Sequence, residues 1–242
     1  MLKVGNKSLL YLALFLLVTG AIFFPSATLS GISVDFQLFH KLMDKRFGDD
    51  RVRISQAWER MLAKTDGLSE QEKLSRVSRF FHRHLRHETD LNLWGVYDYW
   101  ATPLESMGMG KGDCEDWVIA KYLSLRLAGL EDRNLRLIYV SARINTRRGP
   151  TAEQHMVLGY YAHPRAEPLI LDSLTPRILP ASRRNDLTPV FSFNGEGLWV
   201  GSMRASVASG SIAPMSSWRD VLDRIQQEGY NWAVPKETRR DS

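Results

Sequence analysis

Cysteine is almost absent from this sequence: 242 residues contain one, Cys114. A lone cysteine cannot close an internal disulfide, so the fold stands on its core. It also excludes C-x-x-C metal sites and iron–sulfur clusters held by four cysteines. No block of one charge sign is present. The 32 Lys and Arg against 27 Asp and Glu leave a formal charge of +5, with both signs interleaved. That excess permits contact with nucleic acid or membrane but argues for neither, and no nucleic-acid partner is expected. Internal repeats and low-complexity tracts are missing as well. Apolar residues at 44% and charged residues at 24% are ordinary for a folded domain, which excludes disorder, a collagen-like chain and a polytopic membrane protein.

The one long apolar run lies at the start. Residues 1–30 carry two charges, Lys3 and Lys7, and Leu9 to Phe24 is sixteen uncharged residues, mostly Leu, Ala, Phe, Val and Ile. A basic start followed by such a stretch reads as a secretory signal peptide or a short N-terminal membrane anchor. Thr28-Leu29-Ser30 puts small residues where a signal peptidase reads, but the match is poor, so cleaved and tethered forms both stay open. Either way the remainder is expected to be exported. An unpaired cysteine in an exported protein is a buried small hydrophobe, an intermolecular partner or a reactive thiol, and its neighbours must decide which.

Beyond the leader, apolar positions from about Val34 to Thr65 fall at helical spacing: Phe36, Phe39, Leu42, Met43 and Phe47, then Val52, Ile54, Trp58, Met61 and Leu62. Ser69 three residues before Glu72 marks a capping box, and a helix is expected to run from there to about His87. Leu91 to Gly112 reads as loop with four aromatics, Trp94, Tyr97, Tyr99 and Trp100. Cys114 to Leu130 reads as a helix. Short β-rich segments follow at Leu135–Ser141, His155–Tyr161, Leu169–Asp172, Val190–Phe193 and Leu198–Val200. A last amphipathic helix covers Trp218 to Gln227. Helices first and strands later predict an α+β domain over 31–242: a helical lobe over about 34–90, a catalytic helix over 114–130, a sheet over about 135–200 and a C-terminal helix over about 216–228.

Gly110-Lys-Gly-Asp-Cys-Glu-Asp-Trp117 carries the most chemical information. Two glycines lead into a helix whose first turn holds Cys114. Helix N-termini present partial positive charge and unpaired N–H groups, which favour a thiolate and can face an oxyanion. The alternative is an inert buried cysteine, which the charged neighbours do not suit. Asp113, Glu115 and Asp116 place three carboxylates around the thiol and by themselves would raise its pKa. Compensation of the helix dipole accounts for one or two of them. A bound hard cation accounts for all three, and carboxylates at this density suit Ca²⁺ with loop carbonyls completing the shell, although the twelve-residue EF-hand pattern is absent.

A cysteine nucleophile needs a base. His82, His84 and His87 sit with Arg83 and Arg86 and read as a solvated basic face; His40 looks structural and His163 lies in a turn. His155 opens a strand with polar residues before it and apolar ones after, a place from which an imidazole can reach a helix-borne thiol. Asp172 ends the strand that follows, seventeen residues on, and can orient that imidazole. A half-buried strand histidine and a turn-starting aspartate are the alternatives. The order Cys, His, Asp on a helix and two later strands is the papain-like and transglutaminase-like arrangement.

Taken together, Gly112-Asp-Cys-Glu-Asp116, Tyr97-Asp-Tyr-Trp-Ala-Thr-Pro-Leu-Glu105, Lys121-Tyr-Leu-Ser-Leu125 and His155-Met-Val-Leu-Gly-Tyr160 resemble the bacterial transglutaminase-like cysteine proteinases, the family of the LapG periplasmic proteases. The resemblance spans roughly residues 45–230. It implies Cys114 as nucleophile, His155 as general base, Asp172 as orienting acid, and Asp113, Glu115 and Asp116 as ligands of a required Ca²⁺, with further ligands from the Trp94–Trp100 loop. It further implies a periplasmic endopeptidase that cuts near the N-terminus of a large surface adhesin at a di-alanine site and so disperses biofilm. An inner-membrane receptor for cyclic di-GMP would sequester it. Two other readings remain: an acyl-transfer or amidase reaction on the same fold, and a membrane-tethered binding protein without catalysis.

Overall fold

The computed structural model describes residues 31–147, 149–200 and 213–232; the signal peptide or anchor expected over 1–30 lies outside them. After β1 (Ile32–Val34), Asp35 caps α1 (Phe36–Phe47) by accepting the Leu38 N–H at 3.0 Å. The apolar period from Val34 to Thr65 is split by Gly48, whose φ of 87° closes α1 and opens α2 (Asp49–Ala63). Ser69 and Glu72 form the reciprocal capping box of α3 (Glu70–His84). The chain then turns extended at Leu85 into β2 (Arg86–His87).

The stretch read as loop contains two short helices, α4 (Asp90–Trp94) and α5 (Pro103–Met109). The second starts on a Thr102/Glu105 capping box with Pro103 in its first turn, a start signal overshadowed by the neighbouring aromatics and glycines. Next, β3 (Lys111–Gly112) pairs in parallel with β2 and aims the chain into α6 (Cys114–Leu127).

The strands of the second half are β4 (Leu135–Thr146), β5 (Gly149–Tyr160), β6 (Leu169–Leu171), β7 (Leu179–Pro180), β8 (Leu187–Phe193) and β9 (Leu198–Val200). They form one antiparallel sheet in the order β7-β6-β5-β4-β8-β9. Finally α7 (Ala213–Gln227) leads to β10 (Tyr230–Trp232), which pairs with β1 and ties the two ends of the described chain together. The result is an α+β architecture, a helical lobe against an antiparallel sheet.

Alternation along the strands separates two faces. Leu135, Leu137, Met156, Leu158 and Leu171 join the main core, whereas Ile138, Val140, Val157 and Ile170 form a smaller cluster on the opposite face. The helix α6 runs between the sheet and the lobe, so it is buried on almost every side from Asp116 to Arg126. Its polar side chains are matched inside the core: Trp58 Nε1 donates to Ser124 Oγ at 2.8 Å, and Tyr122 OH bonds Asp132. Full burial of Trp58, Phe39, Phe81, Leu74 and Leu104 around it stabilises the lobe by about 1.5–3 kcal/mol per side chain.

Candidate active site

Cys114 is the first residue of α6, half-buried and packed against the core. Asp113 is the N-cap and exchanges hydrogen bonds with Asp116 across the first turn. Gly112 is needed for this turn: a Cβ there would come within 2.7 Å of the Asp116 Cβ. The thiol donates to Glu115 Oε2 at 2.8 Å. Burial, then Glu115 and then Asp113 push the thiol pKa up, with a Met156 backbone N–H acting the other way. Burial is the largest of these, and the two carboxylates act in the direction that their place in the sequence implies. Desolvation and the two carboxylates thus oppose the helix dipole and disfavour the thiolate.

On the sheet, β5 and β6 pair so that Leu158 faces Leu171, and Asp172 follows directly on the end of β6. His155 does not open its strand as the sequence suggested: β5 begins at Gly149, pairing with the far part of β4, and His155 lies in its middle, where exposed residues give way to buried ones. His155 Nε2 lies 2.7 Å from Asp172 Oδ1, both side chains buried. Asp172 Oδ1 also accepts from Leu174 N–H at 3.0 Å, and Oδ2 accepts from Arg184 at 2.6 Å. Burial would raise the Asp172 pKa, but His155, Leu174 and Arg184 together hold it well below the usual carboxylate range. With Nε2 engaged, Nδ1 is the imidazole nitrogen free to serve a thiol. Cys114 and His155 line one cavity of about 460 Å³, together with Asp113, Glu115, Tyr97, Gln154 and Leu174.

The acidic residues divide into two groups. Asp90, Asp113 and Asp116 bring one carboxylate oxygen each to within 4.8 Å of one another. Glu115, the other carboxylate singled out in the sequence, lies between this trio and the thiol: it accepts from Cys114 and also bonds the Asp113 side chain. Asp90 had no signal: it sits twenty-three residues before Asp113, at the start of a helix unseen in the sequence. The Trp94–Trp100 loop and its continuation supply backbone donors that hold the cluster. Tyr99 N–H reaches Asp90 Oδ2 at 2.7 Å and Ala101 N–H reaches Asp116 Oδ1 at 2.7 Å. Asp90 Oδ1 and Asp113 Oδ1 are buried acceptors with no hydrogen-bond partner. Burial first raises the Asp90 and Asp113 pKa values to about 7, helped at Asp90 by Asp113 and at Asp113 by Glu115, and burial with Asp113 raises that of Asp116 well above its ordinary value. Orphaned anionic oxygens in this arrangement suit a hard divalent cation.

The histidines read as a solvated face behave differently. His82 turns inward, with Nε2 3.0 Å from the Asp172 carbonyl and its ring 4.9 Å from that of Trp117. His84 packs on Phe80, and His87 lines the cavity of Cys114. His40 is held between Ser55 and Glu59, consistent with a structural role.

A model of the bacterial transglutaminase-like cysteine proteinases matches residues 50–186, more than half of the chain. The chain belongs to this family. Among solved structures, Legionella pneumophila LapG superposes with a TM-score of 0.64 at 34% identity, covering 79% of this chain and 98% of that one. The calcium-bound form of the Legionella protein gives 0.66 at 35%, over 79% and 99% of the two chains. Its EGTA-treated form gives 0.65 at 34%, over 79% and 98%. No curated protein matches the chain. The fold is thus that of a transglutaminase-like cysteine proteinase, and membership makes the chain a LapG-type cysteine protease.

Proposed function

We propose that this chain is a calcium-dependent cysteine endopeptidase using Cys114, His155 and Asp172. The observation that carries the reading is one cavity lined by both the only cysteine, at a helix N-terminus, and His155, whose Nε2 is paired behind it with the buried Asp172. His155 Nδ1 accepts the thiol proton, displacing the contact to Glu115, while Asp172 stabilises the imidazolium. The sulfur attacks the peptide carbonyl carbon, and the carbonyl electron pair moves onto oxygen. The Cys114 N–H, which has no partner within its own helix, faces that oxyanion. His155 then protonates the departing amine, leaving a thioester on Cys114. Water gives a proton to His155 and its oxygen to the acyl carbon, which releases the acid and restores the thiol.

Asp90, Asp113 and Asp116 would hold the cation, and a hard divalent ion there supplies charge compensation for the turn that presents Cys114. Calcium is the ion favoured by the oxygen-only donor set and by the calcium-bound form of the Legionella relative. The family resemblance supports the finer reading: a periplasmic enzyme, released or tethered by its N-terminal segment. It would cut a large surface adhesin near its N-terminus at a di-alanine site, under an inner-membrane cyclic-di-GMP receptor.

The test is cleavage of the N-terminal region of the adhesin encoded nearest to this gene. Cys114→Ala should abolish it with the thermal midpoint retained, and EGTA should abolish it reversibly. Full activity of Cys114→Ala sinks the nucleophile; full activity in EGTA sinks the calcium requirement. Release of wild-type inhibition when cyclic di-GMP is removed from a membrane fraction holding the receptor would support the regulatory part.

A further inference from the structure

Lys121 is fully buried in the middle of α6, and the mechanism above does not use it. It lies two turns along the helix from Cys114, at the i+7 position that shares a helix side with Cys114 and Val118. Its ammonium donates to the main-chain oxygen of Asp172 at 2.8 Å, its hydrogen-bond partner among the described residues. His82 Nε2 approaches the same oxygen at 3.0 Å from α3. Trp117 packs between them, 5.2 Å from Nζ and 4.9 Å from the His82 ring. Asp172 and His82 are the ionisable groups that face Nζ.

Such a placement is costly. An ammonium with one neutral carbonyl for a partner loses its hydration without gaining a contacting carboxylate, and an apolar side chain would fill the space at lower cost. Burial lowers the Lys121 pKa to about 7, against the pull of Asp172, yet protonated or neutral the amine keeps an N–H to donate. What the arrangement provides is a direct tie between two elements that must be in register. The helix carrying the thiol grips the backbone of the residue whose carboxylate meets His155. The Asp172 carboxylate is itself pinned by Leu174 N–H and Arg184.

We propose that Lys121 is a positioning residue: its hold on the Asp172 carbonyl sets the His155–Asp172 pair relative to the thiol of Cys114. This rests on the cysteine-peptidase reading. Displacement of a catalytic group by about 1 Å is worth on the order of 100-fold in rate. Lys121→Met is of similar length and has no donor. It should keep or raise the thermal midpoint and leave KM within about twofold, while kcat falls by about 10- to 100-fold. The second readout is the downfield proton resonance of the His155–Asp172 hydrogen bond, which should shift or broaden in Lys121→Met. Lys121→Gln keeps a donor on a shorter arm and should recover part of kcat. If Lys121→Met fails to fold, the resonance and kcat of Lys121→Gln decide: both intermediate supports the proposal, both unchanged overturns it. Wild-type kcat and resonance in Lys121→Met also overturn it, as does a loss of kcat fully matched by a loss of folded protein. Failure of the underlying reading is distinguishable, because it appears as full activity of Cys114→Ala, whatever Lys121 does to the resonance.

Discussion

Glu115 and Asp116 are adjacent in the chain and serve different groups. Successive helix residues are about 100° apart, so the first faces the cavity and the thiol while the second turns into the core beneath Gly112. The converging oxygens come from Asp90, Asp113 and Asp116, with Glu115 beside them on the thiol side, in contact with Asp113. Two substitutions separate the roles. Glu115→Gln removes the nearest charge from the thiol, so the Cys114 pKa should fall and alkylation by iodoacetamide at fixed pH should quicken, with calcium affinity changed by less than about threefold. Asp90→Asn removes a charged oxygen from the cluster and should weaken calcium by at least about tenfold in calorimetric titration. The reverse pattern would return the ligand set to the residues flanking Cys114. At this scale the sequence made Cys114, His155 and Asp172 legible because Cys114 opens a helix, Asp172 follows the end of a strand, and His155 stands where polar residues give way to apolar ones along β5. Asp90 and Lys121 were not legible as site residues, since each acts across a contact between distant segments.

At the scale of elements, the segment from α4 to α5 is held by a buried carboxylate. Glu105 caps α5 and accepts from Arg46 of α1 at 2.7 Å and from Arg224 of α7 at 2.6 Å. Arg224 also bonds Tyr99 OH at 3.0 Å and the Trp100 carbonyl, and so braces the loop whose N–H groups hold Asp90 and Asp116. Glu105→Ala would remove the anion shared by two arginines. Denaturant titration should show a loss on the order of 3 kcal/mol, and calcium affinity should fall with it, although Glu105 touches no cluster carboxylate. Wild-type stability in this variant would mean that solvent replaces the bridge. The sequence held the capping signals of both α3 and α5. Only the first was readable, because α3 carries a long apolar period behind its cap, whereas α5 spans seven residues and owes its existence to packing.

The molecule as a whole should respond to pH through its acidic cluster. The folded-state pKa values of Asp90 and Asp113, about 7, lie above the unfolded value of about 3.9. Between those limits the folded protein keeps protons that the unfolded chain has released, so the stability of the calcium-free protein falls as pH rises through the window. Asp172 acts in the opposite sense: its depressed pKa contributes stability above the unfolded value that is lost on further acidification. Calcium must displace the protons of the cluster. Its increment to the thermal midpoint should therefore be larger at about pH 7.5 than at about pH 5.5 in scanning fluorimetry. Equal increments would place the ion away from these carboxylates. By itself the sequence determined the α+β class, the helix that presents the only thiol, and the two later strands that carry His155 and lead into Asp172. Local periodicity, caps and turn residues are written over a few neighbouring positions, and they suffice for that. The tertiary structure alone decided which carboxylates converge, that burial adds to Glu115 in raising the thiol pKa, and that a lysine inside the core grips Asp172. Those outcomes depend on burial and on contacts between segments tens of residues apart, where desolvation, rather than sequence spacing, sets the charge of each group.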